Sequence, residues 1–271
     1  MGLEKYVEKE VLFSEYGPGR KIAEFVIVVK NVPGAFAKIS QLAAEMGINI
    51  LSGFIRAKAS EETAVWSGFV DLTDAKLEVE NVARRLKKLD VVLDVKSSEK
   101  VGELVVDELS FPVTLAGERY VLFKVESVGE AFEKVFSMFG SGAATILYNM
   151  GLKTGVSAAE TVMRKYGLRG RRALDVVLKQ VIAKGWAVPE IEVFDEKRKE
   201  AVVRAFELFE CLPFKGKLKE PRSHLARGYI AGVFKAIFGV DFTVVETECL
   251  AKGDPYCRFM VTQHSGKQGS I

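Results

Sequence analysis

The sequence predicts an α+β protein built from two domains, on three observations. Its 271 residues are enough for two separate cores. Residues 21–97 alternate apolar runs and helical stripes in the order βαββαβ. From residue 108 to 262, helical segments are followed by paired strand-like runs with tight turns, the pattern of helices segregated against an antiparallel sheet.

Composition narrows the function classes. With 39 Lys+Arg against 36 Asp+Glu the net charge is only +3, which gives no electrostatic footprint for nucleic acid. No apolar run approaches the roughly eighteen residues of a membrane span. Leu3 to Glu15 alternates charges with hydrophobes instead of forming a cleavable leader, so a cytoplasmic protein is expected. Three cysteines, Cys211, Cys249 and Cys257, are an odd count without the spacing of a small disulfide scaffold.

In chain order, a charged arm (1–20) closes with the turn Tyr16-Gly17-Pro18-Gly19. Ala23 to Lys30, rich in Val and Ile, is the first strand. Asn31 is a candidate cap, Pro33 suits a first turn, and Phe36, Ile39, Leu42 and Ala43 mark one face of a helix that Gly47 ends. Ile48 to Ala57 and Thr63 to Leu72 read as a hairpin about Ser60-Glu61-Glu62. Thr73-Asp74 would cap a second helix running to Leu89, and Val91 to Lys96 closes the set. That order places both helices on one face of a single sheet.

These residues carry a resemblance. The Val32-Pro33-Gly34-Ala35 turn, the Ala37-Lys38-Ile39 helix start and the Gly47-Ile48-Asn49-Ile50 step resemble the ACT domain, a ferredoxin-like regulatory module, over 21–97. The resemblance implies pairing of chains into a homodimer and an amino-acid-like effector near the strand-to-helix turn, at Asn31, Gly34, Ala35 and Asn49. The physical basis would be free amide protons at a helix N-terminus receiving a carboxylate.

Residues 98–107 mix charge with Val and read as a linker. Beyond it, Leu109 to Leu115 and Arg119 to Val125 suggest a hairpin, and helices follow over 127–139 and 143–166, broken at Gly140. Gly140-Ser141-Gly142 follows a helix instead of a strand, so it is not a dinucleotide loop, and no nucleotide cofactor is expected. Gly151 with Gly155, and Gly228 with Gly232, each lie four apart on one helical face and suit close helix packing. A helix over 171–184, strands over 190–195 and 200–209, a helix from Pro221 to Phe238 and a strand pair over 240–261 complete the second domain, leaving a polar tail at 263–271.

The densest chemistry lies in the last hairpin. Glu246-Thr247-Glu248-Cys249 and Gly253-Asp254-Pro255-Tyr256-Cys257 bring two thiols and nearby carboxylates to one turn, a set that suits zinc better than a hard cation. With Gly142-Ala143-Ala144 and Ala226 to Gly232, these motifs are similar to the 4-vinyl reductase family, whose members resemble TRAPP vesicle-tethering subunits in fold. The resemblance implies a pairing domain with an apolar pocket beside a zinc ion. Its ligand set maps onto Glu246, Cys249 and Cys257, while Ser223 stands where the family has a cysteine, so that either His224 or Cys211 completes the tetrahedron or the site is incomplete.

The expected function is a ligand-responsive regulatory protein. Its second domain would take a small hydrophobic or aromatic ligand among side chains such as Phe132, Phe136, Tyr148, Trp186 and Phe206. Two alternatives stand beside it: a metal-dependent or reductive enzyme, and a non-catalytic scaffold of the tethering-subunit kind. The sequence holds no Ser/His/Asp order, phosphate loop or place for a hydride source, which leans away from catalysis.

Overall fold

The computed structural model describes residues 3–264, so the polar tail from residue 265 onward lies outside the described residues. The chain is α+β, with antiparallel sheets and packed helices, and divides into two compact units, 1–121 and 122–271.

In the first unit β1 (Ser14–Tyr16) precedes β2 (Ile22–Lys30), α1 (Ala35–Glu45), β3 (Asn49–Ala57), β4 (Thr63–Asp71), α2 (Val79–Leu86) and β5 (Val92–Glu99). The sheet runs β3-β4-β2-β5, every neighbour antiparallel. Strand alternation sends Ala23, Phe25, Ile27 and Val29 to one face, where Ile39 and Ala43 of α1 and Val82 and Leu86 of α2 cover them. β6 (Leu104–Val106) pairs with β1, and Val105 joins Ile22 and Phe69 in a smaller cluster. Residues 98–107 therefore hold the end of β5 and all of β6, while the compact units part between Val121 and Leu122.

Several local expectations are corrected. Asn31 does not cap α1: its side-chain amide donates to the carbonyls of Lys58 and Glu61, and Gly34 at φ 85° stands at the cap. Thr73 donates through its amide and hydroxyl to Asp71, so the chain turns there and α2 starts only after Glu78. The hairpin read over 109–125 shrinks to β7 (Thr114–Leu115) with β8 (Glu118–Arg119).

The second unit opens with α3 (Val125–Phe139), then α4 (Ser141–Tyr166), α5 (Gly170–Ala183), β9 (Val188–Asp195) and β10 (Glu200–Phe206). Glu207 at φ 50° ends β10 short of the position read from sequence. α6 (His224–Phe238), β11 (Phe242–Glu248) and β12 (Cys257–Gln263) follow, in a sheet ordered β11-β12-β10-β9. The two glycine pairs face each other across α4 and α6. A Cβ on Gly228 would stand 1.9 Å from the Tyr148 carbonyl oxygen, and one on Gly155 would stand 2.1 Å from that of Tyr229. These helices touch backbone to backbone, and the closeness of that contact offsets what glycine costs within a helix.

Glu24 is fully buried on the sheet face opposite the helices, accepting the Glu108 amide at 3.2 Å, while no donor reaches its second oxygen. Burial first, and a hydrogen bond shared with Asp107 second, raise its pKa from 4.5 to about 7. A carboxyl so raised takes up a proton on folding, so its contribution to stability is complete below pH 4.5 and is lost as pH rises through about 7. Glu24→Gln should flatten a fall on the order of 2 kcal/mol, read as urea midpoints followed by Trp66 fluorescence at pH 5 and 7.5; an unchanged slope would refute the assignment. In the second unit, Gly228→Ala should destabilise by about 3 kcal/mol or more. Gly142→Ala, whose Cβ would meet nothing nearer than 3.9 Å, should be neutral or slightly stabilising in the same circular-dichroism melt.

Candidate functional site

Strand alternation explains half of the site. Phe242, Val244 and Glu246 of β11 point inward, as do Cys257, Phe259 and Val261 of β12. A bulge at Thr247, where Glu246 pairs with Phe259 but Glu248 with Arg258, ends that alternation. Cys249 then enters the short turn 250–252, closed by Gly253 at φ 100°. Asp254 holds the turn by accepting the Cys249 amide at 2.7 Å.

Cys211, just past β10, completes the group. The ligating atoms of Cys211, Glu246, Cys249 and Cys257 all lie within 4.8 Å of one another, and all four residues are buried. Cys211 Sγ is 3.6 Å from Cys249 Sγ, and the thiols are free, not disulfide-bonded. Ser223 stands in their midst: its hydroxyl donates to Glu246 Oε1 at 2.6 Å, its amide donates to Oε2 at 3.1 Å, and Cys211 Sγ lies 3.0 Å from its oxygen. The Leu250 amide donates to Cys257 Sγ at 3.4 Å.

Of the two candidates for the fourth position, the structure brings Cys211 to the cluster and leaves His224 outside it. The His224 ring packs on Phe136 with centroids 5.4 Å apart, and its Nδ1 accepts from Arg227. Burial and then the charges of Arg227 and Arg222 lower its pKa to about 4.

Electrostatically the group is under tension. Burial pushes the Glu246 pKa up to about 8, against the opposing hydrogen bond from Ser223. Hydrogen bonds from the Cys211 and Cys257 thiols hold the Cys249 pKa below the ordinary thiol range, while that of Cys211 is driven far above it. Three thiols and a carboxylate converging in a dry interior form a donor set of the kind that holds a soft divalent metal.

Sequence reasoning missed Glu210. It is 1% exposed, and each carboxylate oxygen accepts one α6 amide at 2.8 Å, those of Leu225 and Ala226. These are donors that a helix leaves unsatisfied in its first turn. Burial raises its pKa to about 7. Ser, Thr, Asp and Asn immediately before a helix are the usual caps, so a Glu this far upstream gives no sequence signal.

Near the cluster lies an apolar cavity of ≈ 470 Å³, a figure that includes the open space at its mouth. Leu178 and Val181 of α5 form one wall, Leu225, Tyr229 and Ile230 of α6 another, and Val203 of β10 with Phe259 of β12 the floor. Trp186 closes it, edge-on to Tyr229 at 5.5 Å and tilted against Phe209 at 5.6 Å. No charged side chain lines it.

Of the five aromatic residues anticipated for a pocket, Trp186 alone lines this cavity. Phe136 instead carries the Arg222 guanidinium 3.9 Å above its ring, Phe206 packs edge-on against Tyr256, Tyr148 sits against the core on α4, and Phe132 lies on α3. The missing signal was periodicity: α5 and the 208–209 turn were not read as pocket walls. Around α1, Asn31 is committed to the 58–61 turn, Ala35 is buried, and Gly34 and Asn49 are exposed.

A two-unit α+β protein with a buried thiol cluster next to an apolar cavity is thus defined. Residues 204–263, which carry all four donors, match the family model of the 4-vinyl reductase domain. No curated protein matches the chain. Among solved structures, the phenol-responsive sensory domain of the transcription activator PoxR, with phenol, is similar at 18% identity and a TM-score of 0.49, covering 55% of this chain and 79% of its own. A vinyl-4-reductase family protein from Methanocaldococcus jannaschii gives 19% and 0.33, covering 54% of this chain and 99% of its own. The ACT domain from GTP pyrophosphokinase of Chlorobium tepidum gives 18% and 0.25, covering 29% and 99%. Among the described residues no helix is long and apolar enough to cross a membrane.

All three cysteines have zero exposure, so Ellman's reagent should find no reactive thiol in the folded protein and three after denaturation in guanidinium with chelator. A thiol that reacts promptly in the native state would contradict the packing.

Proposed function

We propose that the protein is a ligand-responsive regulator whose second unit holds a small, neutral aromatic or hydrocarbon molecule, next to a zinc ion with a structural role. The observation that carries this reading is the uncharged cavity whose lining residues Phe209, Leu225 and Phe259 stand two positions from Cys211, Ser223 and Cys257, within and around the segment that matches the 4-vinyl reductase domain. In this reading an ACT domain spans 21–97 and the 4-vinyl reductase unit spans 108–262.

The donors fit zinc. Tetrahedral ligation at about 2.3 Å places sulfurs roughly 3.8 Å apart, and Cys211 and Cys249 stand at 3.6 Å. Four ionised donors in an apolar interior need a counter-charge, which a divalent cation supplies. Cys211, Glu246, Cys249 and Cys257 would hold it, with hydrogen bonds from Ser223 and the Leu250 amide orienting Glu246 and Cys257. A site closed by four protein ligands serves structure more readily than turnover. When bound, the ion would fasten the last hairpin to the turn after β10.

The first unit is assigned to pairing chains. Its edge strand β3 exposes Ile50, Phe54 and Ile55, the kind of apolar edge that a second copy covers.

Native mass spectrometry of untreated protein tests these assignments together. We expect one zinc per chain, a dimer, and a neutral organic ligand retained or replaceable by added toluene. Cys211→Ser should lose the zinc and His224→Ala should keep it; the opposite pattern would transfer the fourth ligand to His224. Failure to take up toluene, shown by its absence from the native mass spectrum, would sink the ligand assignment.

A further inference from the structure

The short run from Leu208 to Cys211 touches three things in succession. Leu208 and Phe209 line the cavity, Glu210 binds the first turn of α6, and Cys211 enters the thiol cluster. Opposite this run, Ser223 belongs to the cluster's hydrogen-bond network, while Leu225 and Ala226 are cavity wall. Two walls of the cavity are therefore joined twice, once through Ser223 and the thiols and once through the Glu210 carboxylate.

We propose that Glu210 is a positioning residue that makes the cavity and the metal cluster one mechanical unit, so that an ion at the cluster raises the cavity's affinity for an apolar aromatic ligand. This rests on the reading of the cavity and cluster given above. Without an ion, the Cys211 side chain meets the last hairpin only through weak thiol contacts, the backbone bonds between the two segments lying further on, from Gly216 to Leu250 and from Leu218 to Ala251. An ion fixes Cys211 to Cys249 and Cys257. Because Glu210 is the next residue and carries two charge-assisted hydrogen bonds to α6, fixing Cys211 fixes the spacing of Phe209 and Leu225 across the cavity. By linkage the effect is reciprocal: a ligand that fits the fixed spacing must slow loss of the ion by the same coupling.

Glutamine has the shape of glutamate but cannot accept at both ends. Glu210→Gln would turn an NH2 towards one of the two α6 amides and break one clamp. The experiment uses Trp66→Phe protein, in which Trp186 is the only remaining tryptophan of two, with toluene and zinc as the probes. Toluene affinity is measured by Trp186 quenching with zinc bound and after its removal, and zinc loss to a chelator is timed with and without toluene.

In the parent protein zinc should raise toluene affinity about five-fold or more, and toluene should slow zinc loss. In Glu210→Gln, zinc should still bind at one per chain while its effect on toluene affinity disappears, a readout that a general loss of stability does not move. Equal toluene affinity with and without zinc in the parent overturns the coupling without needing any variant. A preserved zinc effect in Glu210→Gln overturns the role of Glu210. Absence of toluene binding in every form, or of zinc binding, overturns the inference together with the reading beneath it.

Discussion

The second unit depends on one constraint, the backbone-to-backbone crossing of α4 and α6. With side chains absent at Gly151, Gly155, Gly228 and Gly232, α6 lies directly on its neighbour, and any larger residue there would meet carbonyl oxygens at about 2 Å. That seating sets both ends of the chemistry. The N-terminus of α6 arrives beside the thiols with Ser223, and within its first two turns the side chains Leu225 and Tyr229 become cavity wall. A shift of α6 would displace the two sites together.

Around that helix the interior tolerates polar groups only where each is answered. Glu210 answers two amides of the first turn of α6, and Glu246 answers the amide and hydroxyl of Ser223. Among the described residues neither is answered by a cation within hydrogen-bonding distance, and burial raises both carboxyl groups towards the protonated form. Three thiols in contact at zero exposure add to the imbalance. A divalent ion, if bound, would relieve it for the cluster by converting repulsion among converging donors into ligation.

The first unit solves a different problem on its sheet. Its helix-covered face is uniformly apolar, while the opposite face carries Glu24, Ser67 and Ser98 beneath the returning chain of 107–110. Ser67 meets Ser110, Ser98 meets Glu108, and Glu24 takes the Glu108 amide, so a polar sheet face is satisfied by a connecting segment instead of a helix. The edge strand β3 stays bare, with apolar side chains on both faces.

Much of this was legible in the sequence because it rests on local periodicity. The strand β2, the stripe of α1 and the paired glycines follow from periods of two and 3.6 that neighbouring residues alone impose. Turn chemistry was less secure, as Asn31 and Thr73 show, since a polar side chain able to cap a helix can equally bind a distant carbonyl or a nearby carboxylate. The tertiary structure alone brought Cys211 and not His224 beside the other three donors, placed Glu210 against the first turn of α6, and built the cavity from α5, α6 and the 208–209 turn. The physical reason is common to all three. Each is a contact between segments whose separation in the chain carries no period, and only the close seating of α6 brings them to one place.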